Sequence, residues 1–83
     1  LTLSQSLTLA QEKLNAGEQD LAVITRAMKA LIEVHPEIQI DYVTIADPDS
    51  LAELPVAQPA MVALIAARVG KTRLIDNQML TQP

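Results

Sequence analysis

The chain is 83 residues long, 49% hydrophobic and 19% charged, with a net charge of −4; this allows one small folded domain and excludes a disordered tail. It has no Cys, no Phe and no Trp, one Tyr and one His, so disulfides, thiol chemistry and a zinc site built on histidines are excluded and the core must be aliphatic. The acidic balance without stacking aromatics argues against a nucleic-acid partner, and the longest apolar run, Ala60 to Ala67, is far short of the ~20 residues a membrane helix needs.

The first element is helical. Leu3, Leu7, Ala10 and Leu14 recur at spacings of four, three and four, which lines one face of a helix over about 3–16. Asn15-Ala16-Gly17 ends it, with Gly17 suited to the left-handed residue past the last turn. A second helix over about 20–34 opens at Asp20, whose carboxylate can accept from a free N–H of the first turn. Leu21, Ile24, Met28, Leu31 and Ile32 form its apolar stripe, and His35-Pro36 stops it because the proline ring disfavours helical geometry in the residue before it. The short Gly-containing link predicts a helical hairpin.

After Pro36 the period becomes two. Ile38, Ile40 and Tyr42 alternate with Gln39 and Asp41, predicting a strand over about 38–46 with those three on its buried face. Val43 and Ile45 then occupy the opposite parity, so either a bulge lies at Tyr42-Val43 or the second half is covered on both faces. Asp47-Pro48-Asp49-Ser50-Leu51 predicts a cap and one helical turn before Leu54-Pro55. The unalternating run from Ala60 predicts a strand over about 60–69 buried on both sides, and Gly70-Lys71 a tight turn into a last strand over about 72–79. The sum is an α+β fold, α-α-β-β-β, with the helical hairpin packed on a three-stranded antiparallel sheet.

Few residues offer chemistry. Gly70-Lys71-Thr72 lacks the glycine five positions earlier that a phosphate loop requires, since Ile65 stands there, and a strand follows instead of a helix. Arg68, Lys71 and Arg73 gather half of the six basic residues at one hairpin. They read either as an anion contact reached from a mobile lid, or as a solvated turn paired with carboxylates such as Asp76 or Asp41. Asp41, Asp47, Asp49 and Asp76 have no calcium-loop spacing, and Asp47 has a capping task. His35 at a helix end has no Ser or Cys partner, so no nucleophile-and-base pair exists. From the residues alone the chain is a lid, binding or interaction module without catalytic equipment.

The ending Val69-Gly70-Lys71-Thr72-Arg73-Leu74-Ile75-Asp76-Asn77, with Ile40-Asp41-Tyr42-Val43 running into Asp47-Pro48 and Leu14-Asn15-Ala16-Gly17-Glu18 before Asp20-Leu21, resembles the carboxy-terminal domain of the pantoate–β-alanine ligases. The resemblance implies a lid-type domain of a longer cytoplasmic enzyme whose larger nucleotide-binding domain precedes it on the same chain. It implies ATP and magnesium in the parent, pantoate and β-alanine as substrates, and pantothenate, AMP and pyrophosphate as products of a pantoyl adenylate route. It further allows a homodimeric parent. The family's paired-histidine motif and its Met-Ser-x-Arg-Asn loop have no counterpart in these residues, so no catalytic or metal-binding residue is carried over and the isolated chain is expected to be inactive. Arg68, Lys71 and Arg73 remain the only candidates for contact with the nucleotide. The alternative is a dimerisation or regulatory module with no catalytic role.

Overall fold

The computed structural model describes residues 2–83. Helix α1 runs Thr2–Asn15, α2 Leu21–Glu33, and strands β1, β2 and β3 run Ile38–Ala46, Ala60–Val69 and Thr72–Thr81. The sheet is antiparallel in the order β1-β2-β3. Both helices lie on one face of it, α1 against β3 and α2 against β1. This is the α+β arrangement expected from the change of period at Pro36.

The helix ends follow from their residues. Gly17 takes φ +99°, and the N–H groups of Glu18 and Gly17 donate to the carbonyls of Lys13 and Leu14, each at 3.0 Å. Two last-turn carbonyls are thereby satisfied in a way that a residue with a Cβ resists. Asp20 caps α2, its carboxylate accepting from Ala22 N–H at 3.0 Å. Val34 closes α2 just before His35-Pro36.

The core lies between the helices and the sheet. Leu3, Leu7, Ala10 and Leu14 from α1 and Leu21, Ile24, Met28 and Ile32 from α2 meet Met61, Ala63, Ile65 and Ala67 of β2. Ser6, the one buried polar residue among those described, keeps its hydroxyl satisfied by donating to the Leu3 carbonyl at 2.7 Å.

One open reading is decided and two expectations, the burial of Tyr42 and the end of β3, are corrected. The phase slip in β1 is a bulge: the register shifts between Ile40 and Tyr42, leaving Asp41 as the extra residue. Tyr42 therefore leaves the buried face and is 41% exposed, while Val43 and Ile45 turn inward. The segment after Ala46 forms the expected cap and single turn, with no longer helix. Leu51 N–H donates to the Asp47 carbonyl at 2.8 Å, but Leu51 itself takes φ +61°, which stops propagation. β3 also runs two residues past the predicted end. The Gln11 amide explains this, donating to the Thr81 carbonyl at 2.8 Å and accepting the Thr81 N–H at 3.1 Å, as a neighbouring strand would.

The face of the sheet away from the helices carries three cross-strand rows: Tyr42–Ala66–Ile75, Thr44–Leu64–Asn77 and Ala46–Val62–Met79. At its hairpin end Arg68 and Arg73 stand opposite one another.

Candidate functional site

The three basic candidates sit where β2 turns into β3. Gly70 takes φ +60° as the first residue of a two-residue turn, the positive φ that this hairpin class demands, and Lys71 is the second. Lys71 is exposed at the tip, and among the described residues no carboxylate lies within ion-pair distance of it.

Arg68 and Arg73 are cross-strand partners, and two guanidinium groups directly opposite would repel. Asp41 removes that conflict. Arg68 donates through Nε and Nη2 to one Asp41 carboxylate oxygen at 3.2 and 2.9 Å, and Arg73 Nε approaches the other oxygen at 3.4 Å. Strand alternation from the inward-facing Ile40 puts the carboxylate on the same face as both arginines, and the bulge turns the next residue, Tyr42, to that face as well. Asp76 takes no part, since its carboxylate accepts the Asn77 N–H and its side chain alternates toward the helices. The arrangement is a three-membered ion network with half-exposed arginines, and both guanidinium groups already share a counterion. An arriving anion finds Lys71 uncommitted and the arginines partly neutralised.

Elsewhere the chemistry is sparse. His35 Nδ1 lies 3.9 Å from the Glu37 carboxylate, after the end of α2 and without a hydroxyl partner. An open cleft of about 280 Å³ lies between α2 and the segment before β2, lined by Leu21, Ala22, Thr25, Ile45, Glu53, Leu54 and Pro55. Its single charged group, Glu53, accepts from the Thr44 hydroxyl at 3.4 Å and would repel phosphate or carboxylate. Asp47 works as a turn cap: its carboxylate accepts N–H groups from Asp49 and Ser50, both at 2.9 Å, which holds its pKa below the ordinary carboxylate value. Among the described residues no three His, Asp or Glu side chains converge as metal ligands. No helix there is long and apolar enough to cross a membrane.

Sequence reasoning left one member of this picture open and missed another. The shared carboxylate was named as one of two options, and the signal that favours it is its alternation with the inward-facing Ile38 and Ile40. Gln11 carried no signal, because a half-buried glutamine on a helix flank looks like solvated surface.

The family model for pantoate-beta-alanine ligase matches residues 1–79. The chain belongs to the pantoate-beta-alanine ligase family. Within that family it is 42% identical over 80 residues to pantothenate synthetase of Moorella thermoacetica, covering 96% of this chain and 28% of that protein. It is 43% identical over 79 residues to the enzyme of Herpetosiphon aurantiacus, covering 94% of this chain and 29% of that one. The crystal structure of pantothenate synthetase from Thermus thermophilus superimposes with a TM-score of 0.86 at 28% identity, over 93% of this chain and 28% of that chain. The chain thus spans less than a third of the length of the ligases it matches.

Proposed function

We propose that this chain is the carboxy-terminal lid domain of a cytoplasmic ligase that joins pantoate to β-alanine, with ATP and magnesium, through a pantoyl adenylate, releasing AMP and pyrophosphate. The observation that carries the reading is the family match over residues 1–79 by a chain that corresponds to only 28% of a pantothenate synthetase.

The described residues do not fit a magnesium site, and the arginines at the hairpin are committed to Asp41. No chemical step is therefore routed through this chain. What it can supply is cover. An acyl adenylate is open to water, and a rigid domain that closes over it excludes the competing hydrolysis. A helical pair clamped on a sheet by a continuous aliphatic core is stiff enough for that task.

The test is partition of the activated acid. In a full-length ligase containing this segment, AMP released is compared with pantothenate formed, before and after removal of residues 1–83. Removal is expected to raise AMP released per pantothenate, most clearly when β-alanine is scarce. An unchanged ratio would contradict the lid role.

A further inference from the structure

Both helices pack on one face of the sheet, and among the described elements nothing lies over the other. That bare face carries exposed apolar side chains, Tyr42 at 41%, Ile75 at 63% and Met79 at 57% accessible, on either side of the row Thr44–Leu64–Asn77. The outward surface of the helices has the opposite character, with Gln5, Thr8, Glu12, Arg26 and Lys29 exposed. Burial of the sheet face is therefore the favourable event, and burial of the helical surface is not.

Size decides what covers it. With side chains of this class presenting on the order of 200 Å² when fully free, those three exposures leave roughly 300 Å² of surface. A stable contact between separate molecules needs about 800 Å² from each partner. A patch that small suits a contact made within one polypeptide, where the linker holds the two surfaces at high effective concentration. More than two thirds of the length of the matched ligases lies outside the part that this chain matches, and in the lid reading that part is the occupant. The arginine pair steadied by Asp41 supplies the charged rim that such contacts carry beside an apolar centre.

We infer that the outer sheet face, centred on Tyr42, Ile75 and Met79, is the surface on which this domain docks against the remainder of its own ligase chain, the polar helices facing solvent. This rests on the lid reading above and adds which way round the lid sits.

The experiment is methyl NMR with a soluble paramagnetic agent, comparing the 83-residue chain with a full-length ligase containing it. In the full-length chain the relaxation enhancement at the Ile75 and Met79 methyls should fall to less than half, while the Val34 methyls, exposed at the end of α2, keep theirs. Ile75→Glu in the full-length chain should restore the enhancement at Met79. Ile75 and Met79 methyls equally accessible in both chains would overturn the inference. So would shielding in the 83-residue chain that grows with concentration alongside a sedimenting dimer, because the occupant would then be a second copy. Shielding in a full-length chain that makes no pantothenate supports the docking face and overturns the ligase reading, so the two fail separately.

Discussion

Arg68 places two of its nitrogens on a single carboxylate oxygen of Asp41, at 2.9 and 3.2 Å, from the neighbouring strand. The other oxygen faces Arg73 at 3.4 Å, so one carboxylate holds together two arginines that stand opposite each other on β2 and β3. Asp41 reaches the arginine side of the sheet by alternation from the inward-facing Ile40, at the point where the bulge shifts the register.

Removing that carboxylate should cost little at high salt and more at low salt. Asp41→Asn is expected to lower stability by about 0.5–1 kcal/mol in urea titrations at low ionic strength, because the arginines are more than half exposed. The difference should shrink in ~1 M NaCl, where the Debye length is about 3 Å. A loss independent of salt would show that Asp41 acts through the backbone of the bulge and not through charge.

The two faces of β2 should answer differently to truncation. Ile65 is fully buried between helices and sheet, and Ile65→Ala should cost about 2–5 kcal/mol. Leu64, half-buried on the outer face, should lose clearly less in Leu64→Ala. Chemical denaturation of both variants decides it; equal losses would place the core on both sides of the sheet.

The link between α1 and α2 is set by one backbone angle and one cap. Gly17→Ala meets open space, so its whole cost comes from φ +99° and should be about 1 kcal/mol. Asp20→Ala should cost about 1 kcal/mol through the lost bond to Ala22 N–H. Thermal melts of the single variants and of the pair test both.

Asp47 gives the fold a pH dependence of known sign. Its folded pKa is lowered by the Ser50 and Asp49 N–H groups, so its contribution is complete above the ordinary carboxylate pKa. That contribution is lost as pH falls through the lowered folded value. The stability difference between the parent chain and Asp47→Ala should be flat near neutral pH and close in acid; NMR titration should find the Asp47 midpoint below the ordinary carboxylate value. A gap that widens in acid would reverse the sign.

Much of this architecture was legible before any coordinates, because single residues carry unambiguous local physics. Gly17 marks the end of α1, Asp20 the start of α2, and Gly70-Lys71 the hairpin. The unbroken apolar run from Ala60 marks the central strand, flanked on both edges, where Val62 and Ala66 are buried on the outer face although helices cover only the inner one. What stayed hidden depends on contacts distant in the chain. Tyr42 reads as a core residue until the bulge turns it outward, and pattern alone allowed a bulge or double cover. Of two carboxylates available to the arginines, only the fold excludes Asp76, by turning it toward the helices. The grip of Gln11 on Thr81 spans 70 positions and leaves no trace in any local period.

The central claim is that the segment covers a reaction that others perform. Its most direct test is an assay of the isolated 83-residue chain with pantoate, β-alanine, ATP and magnesium, monitoring AMP and pantothenate. Neither product is expected above the rate without protein, and sustained formation of either by the purified chain would contradict the claim.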